Sequence, residues 1–393
     1  MHNENNLKSF NRVIFVLVAD LMKTPPALSV IKALDDLGKE VIVCTVGNDK
    51  EKHMKHLGDV NNVQLEYAGC SYKDDVGKIN KLKRLFFIRR NLWKIIGNYY
   101  NNNTVIWVMS DVSIKHLGKK ITEKNYILHL LELIEDMYYI SGNSILKMDR
   151  KTYTEYALAI VECEYNRAHI TKAWWDLEKL PLVLPNKPYV TIDIPKNSKI
   201  STSSQLEGLI QKLRGKKIVL YQGNISKERP LDMYIKAINE LGDDWAFVMM
   251  LNGGNPYPEI QTKNAYFVPF VEPPYHLEVT SHAYIGILSY VPIKNSHSIL
   301  NTLYCAPNKI WEYAKYGVPM ISNDLPALKY EFETKKIGLC TPSMSVEAVK
   351  NTLIRIDERY SEFTKASSDF FDNYDYKKSV EDIIEYSFGQ KGE

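Results

Sequence analysis

Several features are missing from this 393-residue sequence, and each absence narrows what the protein can be. No apolar run approaches the roughly 20 residues that a bilayer-spanning helix needs. The polar start MHNENNLKSFN is unlike a signal sequence, and Val13–Val18 is too short for a signal core. Charge of one sign is also missing. The 50 Lys and Arg nearly balance 47 Asp and Glu, and a net charge of +3 is too small to imply a nucleic-acid partner. The five cysteines (Cys44, Cys70, Cys163, Cys305, Cys340) are odd in number and lack metal-type spacing. They read as reduced, mostly buried thiols. No Asp-x-Asp occurs anywhere, and no Gly-x-Gly-x-x-Gly follows the first apolar run, so a dinucleotide fingerprint is absent. The expectation is a cytoplasmic protein, or one held peripherally at the inner face of the cell membrane.

What is present is ordinary for a globular protein, with 45% hydrophobic and 25% charged residues. The length exceeds what one core usually supports, so two domains are expected. Val13–Ala19 is a continuous apolar run ending at Asp20, the pattern of a fully buried parallel strand. A helix through Leu28, Ile31, Leu34 and Leu37 follows, stopped by Gly38, and Glu40–Val46 is the next strand. The rhythm continues with strands at Val63–Tyr67, Thr104–Met109, Tyr126–Leu130 and Ala157–Val161, and a helix across Asn166–Trp175. Alternation of this kind implies a doubly wound parallel sheet whose ligands bind beyond the carboxyl ends of the strands. Pro185–Ser204 lacks periodicity and reads as a linker. After it, strands are expected at Lys217–Tyr221, Trp245–Leu251, Tyr266–Val268 and Ala283–Ser289, and a long polar loop at Tyr290–Ala306.

Two stretches stand out. The helix Lys78–Tyr99 carries seven basic residues and no acidic one. Its expected inner stripe is Ile79, Leu82, Phe86, Trp93 and Ile96, with Phe87 and Ile88 off it. A basic amphipathic helix with Trp and Phe reads either as a membrane-surface segment, through Lys81, Lys83, Arg84, Arg89, Arg90 and Trp93, or as a crossover helix with solvated charges. The second stretch is Asn301–Leu325. There Ala306-Pro307-Asn308 suits a helix start with Asn308 available as a cap, Gly317 a stop, and Val318–Ser322 a buried strand. The positive end of such a helix, with Asn308 and Lys309 beside it, suits a diphosphate. Glu312, one turn on, can accept two hydrogen bonds from a diol such as a ribose. Gly223 and Asn224 open the loop after Lys217–Tyr221. In that loop Gly223 lets a backbone approach a ligand, and Arg229 offers a forked donor to the same diphosphate.

The motif Pro-Asn-Lys-x-x-Glu-Tyr-x-x-x-Gly-x-Pro-x-Ile resembles the donor-nucleotide helix of GT-B glycosyltransferases, nearest to glycosyltransferase family 4 of bacterial surface polysaccharide biosynthesis. The resemblance implies two Rossmann-like α/β domains facing a cleft. The acceptor domain would span 1–187, a linker 188–204 and the donor domain 205–375. A C-terminal segment, 376–393, would place a final helix around Val380–Tyr386 back towards the first domain. It implies a metal-independent, retaining hexosyltransferase that needs no cofactor. The co-substrate would be a UDP-, GDP- or dTDP-sugar and the acceptor a glycan or lipid-linked molecule. By the same resemblance Arg229 and Lys309 neutralise the leaving diphosphate and Glu312 holds the ribose. His129, at the end of Tyr126–Leu130, reaches donor sugar or acceptor, and Asn301 lines the sugar side. Many members carry a glutamate eight positions before the ribose-binding one, where this sequence has Tyr304. That departure keeps open a non-catalytic GT-B subunit that binds a nucleotide sugar or a partner transferase; a GT-B sugar-nucleotide epimerase is the other alternative.

Overall fold

The computed structural model describes residues 9–70, 77–139, 147–189, 192–260, 262–293 and 298–391. Residues 1–8 of the polar start, 190–191 of the expected linker and 294–297 of the expected loop lie outside the described residues. The chain forms two compact units. Unit 1 comprises residues 1–191, 296–298 and 375–393, and unit 2 comprises 192–295 and 299–374.

The sheet of unit 1 contains β1 (Arg12–Val16), β2 (Glu40–Val46), β3 (Val63–Gly69), β4 (Thr104–Met109), β5 (Tyr126–His129), β6 (Ala159–Glu162) and β7 (Leu182–Val183). Their order is β3-β2-β1-β4-β5-β6-β7, with every pairing parallel. The continuous apolar runs become its central strands because helices cover both faces and leave no side for polar residues. Val13 pairs with Val41 on one side and Val105 on the other. The two-residue β7 is too short to leave a periodic signal in the sequence.

The helix Lys78–Tyr99 forms as its periodicity suggests, but its inner stripe is rotated from the expected one. Leu85, Ile88, Leu92, Ile95 and Ile96 are buried against the sheet, while Ile79, Phe86 and Phe87 are exposed. The two stripes differ by one residue, roughly 100° of rotation, and a helix this rich in apolar residues supports either. Two residues expected at a membrane surface turn inward instead. Arg89 donates to the carbonyls of Lys115 (2.7 Å) and His116 (2.9 Å), closing the last turn of the helix Asp111–Leu117. Trp93 Nε1 donates to Leu117 O at 2.8 Å. Free helix carbonyls need donors, and these two side chains supply them. Arg84 donates to Cys70 O, whereas Lys81, Lys83 and Arg90 are exposed.

The C-terminal helix, Tyr376–Gly389, is part of unit 1 and packs on the helix Pro25–Asp36. Tyr376 stacks on Tyr189 at 5.8 Å, and Phe388 meets Phe10 edge-on at 5.1 Å.

Unit 2 holds β8 (Lys217–Gly223), β9 (Trp245–Leu251), β10 (Ala265–Pro269), β11 (Ile285–Leu288), β12 (Met320–Asn323) and β13 (Gly338–Thr341). The order β10-β9-β8-β11-β12-β13 is again parallel throughout. The direction of winding reverses between β8 and β11, so the chains leaving those two strands diverge to opposite faces. In an open α/β sheet that reversal opens a crevice at the carboxyl ends, where ligands bind. Gly223 ends β8 there, and Ser289-Tyr290 follows β11.

Candidate functional site

Gly223 takes φ +127°, a conformation that L side chains rarely adopt, and a Cβ placed on it would lie 3.4 Å from Lys309 Nζ. The residue therefore serves both the turn and the close approach of the lysine. Beyond it the loop to Arg229 is tied down at several points. Tyr221 Oη donates to Asn224 O at 2.6 Å, Arg229 N to Ser226 O at 2.9 Å, and Val291 N to Glu228 O at 2.6 Å. Ser289 Oγ adds a bond to Pro230 O at 2.6 Å. The loop carrying Arg229 is thus fastened to the segment leaving β11.

The third component is the helix Asn308–Ala314. At seven residues it is short, and Pro307 rather than Asn308 stands at its cap, with no side-chain capping bond. Asn308, expected as the cap, is instead the first helical residue. Packing holds the helix in place. Tyr313 lies so close over Gly286 of β11 that a Cβ there would fall 2.3 Å from its ring, and its hydroxyl donates to Leu220 O at 2.9 Å. With Tyr313 locked to the sheet, Lys309 and Glu312 emerge on the side facing Gly223.

Glu312 is buried and doubly engaged. Gln222 Nε2 donates to its Oε2 at 2.5 Å and His276 Nε2 to its Oε1 at 3.0 Å, while Thr280 Oγ1 donates to Gln222 Oε1 at 2.7 Å. Burial by itself pushes the Glu312 carboxyl up, but His276, Gln222 and Lys309 together outweigh it and hold the group below the usual carboxylate range. An ionised carboxylate has about four lone-pair directions, so these two bonds leave acceptor capacity.

Lys309 is also buried. Its ammonium lies 4.8 Å from the centre of the Tyr221 ring and 5.3 Å from that of Tyr290. The Arg229 guanidinium sits 5.3 Å from the same Tyr290 ring. Burial first, and the positive charge of Arg229 second, bring the Lys309 amine down to about 7, against the partial support of Glu312. Tyr290, with its ring centre 5.3 Å from both cations, is held in place by Asn323. Tyr290 N donates to Asn323 Oδ1 at 3.0 Å, and Asn323 Nδ2 donates back to Tyr290 O. A half-buried guanidinium and a buried amine beside one ring, the amine lowered chiefly by burial, are arranged to receive an anion.

The structure therefore gathers Gly223, Arg229, Lys309 and Glu312 at one crevice of unit 2. Asn224 and Asn308 lie at its margin, exposed and half-buried respectively. Asn301 lies on a short helix, Ile299–Leu303, where the sequence suggested only loop, and Tyr304 follows directly after it. Thr302 of that helix donates to Glu228, fastening it to the Arg229 loop. His129 belongs to unit 1. It ends β5, but is enclosed: Trp107 Nε1 donates to its Nδ1 at 3.3 Å, and burial lowers the imidazole to about 3. At neutral pH it is an uncharged interior group, not the open, substrate-facing histidine the resemblance implies. Glu162 and Glu164, at the carboxyl end of β6, are both engaged within unit 1. Glu162 is buried with Oε1 bonded to Thr171 at 2.6 Å, and Glu164 caps the helix Tyr165–Trp175 through Arg167 N at 2.9 Å.

Sequence reasoning missed Tyr221, Gln222, His276 and Tyr290. Each lies at a strand end or in a short helix, positions where apolar periodicity says nothing about which polar side chain turns inward. Among the described residues no group of three or more His, Cys, Asp or Glu could hold a metal ion, and no helix is long and apolar enough to cross a membrane.

No family model matches the sequence, and no curated protein matches it. Solved structures do. HepE of Anabaena, determined with UDP-glucose, aligns at 10% identity over 96% of this chain and 99% of that one, with a TM-score of 0.62. The E. coli trehalose-6-phosphate protein bound with UDP-2-fluoro glucose aligns at 10% identity over 97% and 99%, with a TM-score of 0.61. A Listeria monocytogenes protein designated a UDP-N-acetylglucosamine 2-epimerase aligns at 11% identity over 96% and 95%, with a TM-score of 0.62. At such identities the likeness is one of fold, and the fold is GT-B: two parallel-sheet α/β domains, of seven and six strands.

Proposed function

We propose that the protein is a metal-independent glycosyltransferase that takes a sugar from a nucleoside-diphosphate donor and passes it to a glycan or lipid-linked acceptor. One observation carries this reading. Arg229 and Lys309 approach the same Tyr290 ring at the switch point of unit 2, where burial first and the Arg229 charge second disfavour the Lys309 ammonium, and a bound anion would offset both. As the anomeric bond breaks, negative charge develops on the leaving diphosphate. Fixed cations already aimed there stabilise it without reorganising. Glu312 has acceptor capacity for a ribose diol, and Gly223 lets the backbone close on the phosphates. Catalysis is assigned to Arg229 and Lys309, and His129 to the packing of unit 1. Retention of anomeric configuration is part of the proposal.

A thermal-shift panel with UDP-, GDP- and dTDP-sugars tests the donor site. Stabilisation by at least one nucleotide is expected, and none with any would sink the reading. Product analysis then separates the activities. Transfer to endogenous acceptors in added membranes supports the transferase. An isomerised nucleotide sugar, the activity in the designation of the Listeria neighbour, would replace it with an epimerase. Binding with neither product leaves a carrier subunit.

The acceptor side is proposed to meet an anionic membrane from the cytoplasmic face through the helix Lys78–Tyr99. Ile79, Phe86 and Phe87 are 70%, 59% and 58% exposed there, beside Lys81, Lys83 and Arg90. Apolar side chains flanked by basic ones bind such a surface by insertion plus charge, at about 1 kcal/mol per basic residue.

A further inference from the structure

Unit 1 contains a cavity of about 1150 Å³ at the amino-terminal edge of its sheet. Its floor is the chain entering β5, β6 and β7, at the end of the strands opposite to where α/β sheets hold their ligands. Its walls are the last turn of the helix Tyr165–Trp175, the helix Arg150–Thr154, and Tyr386 and Gln390 from the C-terminal helix. We propose that this cavity binds a neutral oligosaccharide, as a holding site for the glycan to which sugar is transferred. The proposal rests on the transferase reading only for calling that glycan an acceptor.

Size is the first argument. Pockets for single small molecules run from roughly 300 to 1,000 Å³. This one exceeds that range and is open to solvent, which suits several linked rings better than one metabolite. The aromatic lining is the second. Tyr156 is 57% exposed, and Trp174 and Tyr386 are half-buried beside the same space. Their ring faces carry partial negative charge and attract the positively polarised C–H groups on the flat side of a sugar. Trp175 stiffens the wall, its Nε1 donating to Ile134 O at 2.9 Å.

Charge supplies the third argument and excludes the obvious competitors. Four Lys or Arg and five Asp or Glu line the cavity, so no net field favours a nucleotide, a phosphate or an acidic polymer. Several of these charges are already satisfied: Lys151 faces Glu155 at 3.4 Å, and Lys179 donates to Gln390. What remains is a closely mixed set of donors and acceptors around one exposed and two half-buried rings. Hydroxyl groups, each both donor and acceptor, match that set, whereas an apolar ligand would strand it.

The test uses the full chain and its Tyr156→Ala variant on an array of neutral and acidic oligosaccharides, followed by titration of the strongest neutral hit using tryptophan fluorescence. Tyr156 is exposed, so the variant should melt with the wild type. Binding of a neutral glycan that weakens about tenfold in Tyr156→Ala, with a fluorescence change that Trp174→Phe reduces, supports the site. No neutral glycan bound, acidic glycans alone bound, or binding indifferent to Tyr156→Ala would each overturn it. Nucleotide-sugar stabilisation is measured in parallel on the same variant. Loss of glycan binding with that stabilisation intact concerns this cavity alone, and the reverse concerns the donor site alone.

Discussion

His276 Nε2 lies 3.0 Å from Oε1 of Glu312, and both side chains are buried. The bond anchors the carboxylate from the side opposite Gln222, fixing it before any ligand arrives. The proposed contact of Glu312 with a ribose cannot be tested by simple deletion. Glu312→Ala would leave His276 and Gln222 without their partner, at a cost of about 1–3 kcal/mol for each unsatisfied group, and should lower the melting temperature sharply. Glu312→Gln keeps the shape and should bind whichever nucleoside diphosphate stabilises the wild type about tenfold more weakly, while melting near the wild type. The decisive comparison is a 2′,3′-dideoxy nucleotide. The wild type should lose affinity for it, and Glu312→Gln should not discriminate. Discrimination that persists in the variant would take the ribose away from Glu312.

Lys309 predicts proton uptake on binding. Its amine sits at about 7 in the ligand-free site, and a bound diphosphate, by offsetting Arg229, raises it. Nucleotide affinity should therefore fall as pH climbs above 7. Calorimetry in buffers of different ionisation heat should show a proton entering with the ligand. Stability carries the opposite sign. The folded value lies below the unfolded one of 10.5, so the unfolded chain holds more protons between them, and the ligand-free protein gains stability as pH rises through that window. Lys309→Met should abolish both effects; a pH dependence unchanged in that variant would exclude the lysine as their source.

Glu162 gives a second pH signature, at lower pH. Burial raises its carboxyl to about 7 despite Thr171 and Arg167, and its Oε2 finds no partner among the described residues. A group raised on folding contributes its stability fully below the unfolded value of 4.5 and loses it as pH rises towards 7. Glu162→Gln, neutral at every pH, should flatten the melting profile across that interval and melt several degrees higher than the wild type at pH 8. An unchanged slope would mean the carboxyl is hydrated after all.

On the helix Lys78–Tyr99, two kinds of variant should part company. Phe86→Ser with Phe87→Ser removes exposed apolar surface, so sedimentation with anionic liposomes should drop while the melting temperature holds. Arg89→Ala strips donors from the carbonyls of Lys115 and His116 and should cost about 1–3 kcal/mol of stability, with little direct effect on liposome binding. Equal liposome binding by wild type and the Phe86/Phe87 double variant would remove the membrane proposal.

The sequence by itself determined the order and type of the major elements. Continuous apolar runs such as Val105–Met109 and Ala246–Leu251 can be stable only between two layers of helices, so parallel sheets covered on both faces follow directly from them. It also marked Lys309, Glu312, Gly223 and Arg229, because a lysine and a glutamate beside a Pro-Asn helix start, and an Arg after a glycine turn, are hard to account for as packing. Only the tertiary structure decided what those residues meet. Which of two stripes on the helix Lys78–Tyr99 turns inward, whether Arg89 caps a neighbouring helix or faces solvent, and that Tyr290 lies beside both Arg229 and Lys309 all depend on distant contacts. Local periodicity encodes a direction relative to one helix or strand. The environment that lowers Lys309 and fixes Glu312 comes from Arg229, Gln222 and His276, dozens of residues away, and is set only when β8 and β11 come together.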